Sequence, residues 1–223
     1  MSEPSPRPPP LPSSAGPGPH PPRGHRVLLW VVLPLGIVVG LGALVMAAGW
    51  LYAYATVAVP IRPEDRAVLV DVQRLAAWAE MECPPTNGEV VVKKRYMDMA
   101  WELEYEFESQ DEDGPFYVNC TVDLEPKLAD AEMGYQAYWN GAQASLRLFG
   151  SNCRVVETNL FRWGDKSRCA VFVTDKGPVG HMVAGRKGRR VFFLMFVGAY
   201  TDEPDRLADL LQPVLRNVET YAP

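Results

Sequence analysis

Histidine is nearly missing from this 223-residue chain: there are three, and His181 is the only one after His25. Histidine is the commonest proton shuttle and metal ligand, so a histidine triad or a histidine-built metal centre has no raw material here. His181 stands in KGPVGHMVAG with no Ser, Cys or carboxylate at a recognisable spacing, which reads as a structural residue. G-x-S-x-G, H-E-x-x-H and phosphate-loop patterns are all lacking. The four cysteines fit no zinc spacing. No metal and no cofactor is therefore expected.

Positive charge is also short. Lys and Arg total 22 against 27 Asp and Glu. Residues 1–60 hold three Arg against one Glu, so +2, which leaves 19 basic and 26 acidic residues, so −7, for residues 61–223. An acidic domain is repelled by phosphate backbones, which excludes nucleic acid as a partner.

Two segments lack most of what a folded core needs. MSEPSPRPPPLPSSAGPGPHPPRG opens the chain with ten prolines in 24 residues. With nothing to bury, residues 1–26 read as a solvated, disordered tail with polyproline character. Pro9 and Pro12 fit a P-x-x-P spacing, which a tail so rich in proline produces in any case. Val27 to Leu51, VLLWVVLPLGIVVGLGALVMAAGWL, then runs 25 residues without a charge.

About 20 apolar residues cross a hydrocarbon core, so residues 27–54 read as a single transmembrane helix, in contact with lipid over 27–51. Trp30 stands at one end and Trp50, Tyr52 and Tyr54 at the other, which at 1.5 Å per residue matches two aromatic belts about 30 Å apart. A cleaved secretory signal is the competing reading, with Ala53-Tyr54-Ala55 imitating a cleavage site. Its apolar core would be about 7–15 residues, and this run is longer. Arg23, His25 and Arg26 flank the entry, whereas Arg62 and Arg66 at the exit are mixed with Glu64 and Asp65. That bias puts the N-terminus in the cytoplasm and the bulk of the chain outside it. Gly36 and Gly40 form one G-x-x-x-G, a candidate homodimer face.

Residues 55–62 read as a linker and 63–223 as one extracytoplasmic α+β domain. Cys83, Cys120, Cys153 and Cys169 all fall in it, and an even count in an oxidising compartment suggests two disulfides with connectivity open. Buried free thiols are the alternative.

Within the domain, Pro63 to Met81 reads as one helix, with Val68, Val72, Leu75 and Ala79 inward. WELEYEFES, Trp101 to Ser109, alternates strictly, so Trp101, Leu103, Tyr105 and Phe107 face a core while Glu102, Glu104, Glu106 and Glu108 face water. Phe116 to Glu125 alternates likewise. If Tyr96 opposes Trp101, then Arg95 meets Glu102, Lys93 meets Glu104 and Val92 meets Tyr105. A helix from Pro126 to Phe149 follows, with a stripe of Leu128, Ala131, Tyr135, Tyr138, Ala142, Leu146 and Phe149. Gly134 and Gly141 share one face of it, which suggests close approach to a sheet or to a ligand. Strands near 153–163, 168–174, 179–185 and 190–200 precede a last helix near Glu203 to Tyr221, which Pro213 should kink. The resulting fold is an antiparallel sheet flanked by helices, an α/β/α sandwich.

One segment stands out. GRKGRRVFFLMFVGAY sets Arg186, Lys187, Arg189 and Arg190 against an almost unbroken apolar run. Gly185 to Gly188 reads as a hairpin connection between two buried strands. The four basic residues are either a solvated turn or a site for an anion or a lipid headgroup.

The stretch from Gly185 to Tyr221 resembles the photosystem extrinsic protein PsbP and its bacterial lipoprotein relatives. In that family a polar hairpin leads to an apolar strand ending in a small residue, then to a helix that opens on acidic residues. Ala199, Glu203, Leu207, Leu211, Pro213 and Leu215 hold those places. The resemblance implies an accessory or binding domain. The three strands before the long helix fit that family less well, which leaves a cystatin-like or other α+β sheet open.

The expected function is a membrane-anchored, non-enzymatic domain that binds a partner protein or small ligand. The alternative is a hydrolase or sugar-processing enzyme working through carboxylates such as Glu102, Glu104, Glu106 and Glu108. The acidic turn Asp111-Glu112-Asp113-Gly114 lacks the spaced ligands of a calcium loop.

Overall fold

The computed structural model describes residues 41, 42, 44–47, 56–109, 116–149 and 153–223. The chain divides into two units, Met1–Leu51 and Tyr52–Pro223. In the first, the six described residues are helical. The tail, most of the apolar run and the Gly36/Gly40 pair lie outside the described residues. Among the described residues no helix is long and apolar enough to cross a membrane.

The second unit is an α+β domain built on one eight-stranded antiparallel sheet. Its described elements are β1 (Thr56–Ala58), α1 (Pro63–Arg66), α2 (Val72–Ala79), β2 (Val90–Tyr96), β3 (Trp101–Glu108), β4 (Tyr117–Leu124), α3 (Leu128–Phe149), β5 (Arg154–Thr158), β6 (Lys166–Thr174), β7 (Gly177–Lys187), β8 (Arg190–Val197) and α4 (Pro204–Thr220). The strand order is β1-β2-β3-β4-β8-β7-β6-β5. Two meanders thus meet at the β4–β8 pair, each followed by a long helix.

The helices lie on opposite faces. On one, the Val68–Val70 segment, α2 and α4 cover Leu103, Tyr105, Phe107, Val118, Cys120, Phe192, Leu194 and Phe196. On the other, α3 lays Ala131, Tyr135 and Trp139 over Phe172, Met182, Ala184 and Phe193. The alternation of β3 is met at Leu103, Tyr105 and Phe107, which turn into the core with the glutamates outward, whereas Trp101 is only half-buried and lines a groove at the end of the sheet. The apolar runs of β6 and β8 are buried on both faces, as continuous runs require.

Four expectations are corrected. First, Pro63 to Met81 is two helices. Val68, Leu69 and Val70 lie buried between Pro63–Arg66 and Val72–Ala79, and Asp71 caps α2 by accepting from the Arg74 amide at 2.8 Å. Second, the β2 register is shifted by one: Arg95 faces Trp101, Lys94 faces Glu102, Lys93 faces Leu103 and Val91 faces Tyr105. The hairpin closes with the Tyr96 amide donating to the Ala100 carbonyl at 2.9 Å, so the loop is Met97-Asp98-Met99. Met99 takes the left-handed position (φ 73°) that three-residue loops require. A one-residue slip exchanges every face, so Lys93 points into the core.

Third, Leu128 is exposed, and Trp139 anchors α3 instead. The side chains of Leu146 and Phe149 lie outside the description. Of the two glycines, a Cβ at Gly134 would touch Asp123 and Glu125 at 3.8–3.9 Å, whereas one at Gly141 would meet open space, so only Gly134 approaches the sheet. Fourth, β7 runs through Gly185-Arg186-Lys187, and the turn is Gly188-Arg189, with Gly188 at φ 58°. Gly185 is small because Trp163 lies on it: an added Cβ would fall 2.6 Å from that ring. Pro213 sits inside a continuous α4 on its exposed side.

Candidate functional site

The basic turn comes first, since its four side chains were the sequence candidates. All four find partners within the chain. Arg186 is buried, with Nε 3.1 Å from Glu132 on α3 and Nη1 3.3 Å from Asp165. Lys187 Nζ meets Glu219 at 2.7 Å. Arg189 donates to the Pro126 carbonyl at 3.1 Å. Arg190 donates to the carbonyls of Val218 (2.9 Å) and Tyr221 (3.2 Å) at the end of α4. Cations near a helix C-terminus satisfy its last carbonyls and favour its dipole. The turn therefore binds both long helices to the sheet.

The four cysteines are free. Cys120 on β4 and Cys169 on β6 face the same core, but β8 and β7 stand between their strands. Three strand spacings put them about 14 Å apart, twice the Cα reach of a disulfide. Cys120 instead accepts from the Val70 amide at 3.4 Å, and burial pushes its thiol up to about 12. His181 is structural. Its Nε2 accepts from the Thr201 amide at 3.2 Å and its ring stacks on Tyr200. Burial holds it down at about 4.

What the structure adds is an open, acidic half-face. α3 covers the side of the sheet made by β6, β7 and β8, and no described helix covers the same face of β2 and β3. There Lys94 Nζ meets Glu102 at 2.6 Å and Glu104 at 3.8 Å. The Tyr96 hydroxyl donates to Glu102 at 2.7 Å, Asn119 donates to Glu104 and Tyr117 to Glu106, each at 3.3 Å. Directly across from Glu102 on β4 is Asp123. Facing antiparallel side chains lie about 5 Å apart, and like charges so placed repel.

Asp123 is only 5% exposed. Its Oδ1 is buried and has no hydrogen-bond partner among the described residues. Burial, then the charge of Glu102, pushes its carboxyl well above the ordinary range, against a hydrogen bond from Tyr138 on α3. Glu125, two residues on, is raised by burial and by Asp98, Asp130 and Glu102. Both carboxyls thus hold a proton more readily than free ones do, and Asp123 Oδ1 is unpaired among the described residues. Among the described residues no cluster of His, Cys, Asp and Glu is arranged to hold a metal ion.

A second feature lies at the end of the sheet. Trp101 sits under Arg95 (5.4 Å to the ring centroid) and Lys93 (5.2 Å). A groove of about 370 Å³ runs past it between Val57 and Met97. A neighbouring one of about 290 Å³ shares Met99 and Trp101 and reaches Arg189 and Pro223.

The sequence reading placed Glu102 and its neighbours on a wet face and missed Asp123. The alternation of β4 gives it the same face. Only α3, reaching across with Gly134 and Tyr138, takes it out of water. No family model, no curated protein and no solved structure matches this chain.

Proposed function

We propose that the chain is a membrane-anchored, non-enzymatic binding domain, held by residues 27–51 with residues 63–223 outside the cytoplasm. It would engage its partner through the open acidic half-face of β2, β3 and β4. The observation that carries the reading is Asp123: a buried carboxyl whose Oδ1 is unpaired among the described residues, opposite Glu102, beside a row of partly exposed glutamates. Like charges facing across Glu102 and Asp123 repel, and a ligand that brings a cation or hydrogen-bond donors to the partly exposed glutamates beside them offsets that repulsion. The partner is thus a basic protein segment or a small amine. The PsbP-like character of the C-terminal strand and helix, with helices on both sides of an antiparallel sheet, supports an accessory role.

A photocrosslinker at Glu104 in the full chain, in native membranes, tests this. A discrete adduct that disappears when Glu102, Glu106 and Asp123 are changed to Gln, Gln and Asn supports the reading. An adduct pattern unchanged by those substitutions contradicts it. The same Glu102–Asp123 pair favours the second reading, in which one carboxyl donates a proton and the other receives one. Turnover of ester or glycoside probes, lost with Asp123→Asn, would decide for the enzyme.

A further inference from the structure

The tip of the β2–β3 hairpin carries unusual cover. Met97 is 77% exposed, Met99 57% and Val57 on the adjoining β1 60%. They are not scattered. Val57 is paired with Arg95 through β1 and β2, and all three line the groove that ends on Trp101. Asp98, between the two methionines, accepts from the Ala100 amide at 3.0 Å and so fixes the turn. A rigid turn that holds two flexible apolar side chains outward is costly in water and well suited to an apolar surface.

The chain length says which surface. Six Cα-to-Cα steps, through five intervening residues, lead from Leu51, the end of the apolar run, to Val57. Fully extended they span about 20 Å. The headgroup region alone is about 5–8 Å thick on each side of the hydrocarbon core. Val57 and the tip bonded to it therefore stay within reach of the headgroups, if the run is an anchor. Arg95, Arg189 and Arg190 stand along the two grooves, against Asp98 and Glu125 nearby, so the charges cancel to within one.

We infer that the β2–β3 tip docks on the bilayer that holds the chain, with Met97 and Met99 entering the headgroup layer beside Trp101. This inference rests on the proposed membrane anchor. Because the nearby charges nearly cancel and the exposed side chains at the tip are Met97, Met99 and Val57, the contact is mainly apolar. It should therefore depend little on salt or on anionic lipid, unlike a polybasic contact.

The test uses the full chain with Cys83→Ser, reconstituted into phosphatidylcholine vesicles with shallow nitroxide lipids. A polarity-sensitive fluorophore is placed at Met97→Cys, or at Lys176→Cys in the β6–β7 turn at the other end of the sheet. Flotation with the vesicles after alkaline wash reports the anchor separately. The expected result is flotation, with strong quenching at 97, little at 176, and no change between 0.05 and 0.5 M salt. Flotation with equal quenching at both positions overturns the docking and leaves the anchor standing. Quenching at 97 that vanishes in high salt overturns the apolar contact. Failure to float overturns the anchor and the docking with it.

Discussion

Lys93 Nζ lies 2.9 Å from Asp65 Oδ1, and both side chains are essentially out of water. The Tyr221 hydroxyl donates to the same oxygen at 2.6 Å and the Arg62 amide to the other at 2.7 Å. One carboxylate thus joins the start of the domain, strand β2 and the last ordered turn of the chain. Burial pushes the Asp65 carboxyl up, but the hydrogen bonds from Tyr221, Lys93 and Arg62 outweigh it and hold it below the ordinary range. Removing one partner of a buried pair leaves an uncompensated charge and costs about 3–5 kcal/mol. Lys93→Met should lose that much in urea unfolding. Lys94→Met, which loses only partly exposed pairs with Glu102 and Glu104, should lose under about 1 kcal/mol. Equal losses would show that β2 is in the other register.

The pH dependence of stability separates His181 from Asp123. His181 is held neutral, at about 4 in the folded state against an ordinary 6.5. A lowered folded value means the unfolded chain binds the proton more readily, so stability is full above about pH 6.5 and falls as pH drops toward 4. The loss is on the order of 3 kcal/mol. His181→Leu should flatten that slope in urea titrations between pH 7 and 4.5. An unchanged slope would mean that the ring is not the group responsible.

Asp123 has the opposite sign. Its folded carboxyl is raised, so the folded state holds the proton more readily than the unfolded one. Its contribution is full below the ordinary carboxylate range and is lost as pH rises through the folded value. Asp123→Asn should therefore be relatively more stable at pH 7 than at pH 4, compared with the parent chain. A variant that loses stability equally at both pH values would show that the carboxyl is not raised in the folded state, and one that loses more at pH 7 would show that it is ionised and paired.

The basic turn offers a cleaner contrast. Arg186→Gln breaks contacts with Glu132 and Asp165 from a buried position, and should cost about 1–3 kcal/mol. Arg189→Gln loses one exposed bond to the Pro126 carbonyl and should cost under about 1 kcal/mol. The measurement is thermal or urea unfolding of each variant. An anion or headgroup site would instead show little change in stability and a salt-sensitive loss of binding in the Arg186, Lys187 and Arg189 triple Gln variant.

Much of the fold was legible because β3 alternates without a fault, β6 and β8 are apolar on both faces, and α4 repeats Leu207, Leu211, Val214 and Val218 on one side. What was not legible had physical causes of two kinds. Some lay in backbone geometry that the residue type does not announce. Met99 occupies a left-handed position usually given to Gly or Asn, and that choice set the β2 register. Asp71, an ordinary polar residue inside an apolar period, caps a helix and splits the segment before it. The rest depended on partners distant in sequence. Arg190 reads as free charge until the end of α4 arrives with its carbonyls, and Asp123 reads as solvated until α3 covers it.

The central claim is placement, and protease treatment of intact cells or sealed right-side-out vesicles tests it most directly. The account predicts that external protease removes residues 63–223 while the N-terminal tail and the segment through residue 51 survive uncut inside. A domain protected from external protease, or a mature chain beginning near Thr56, would contradict it.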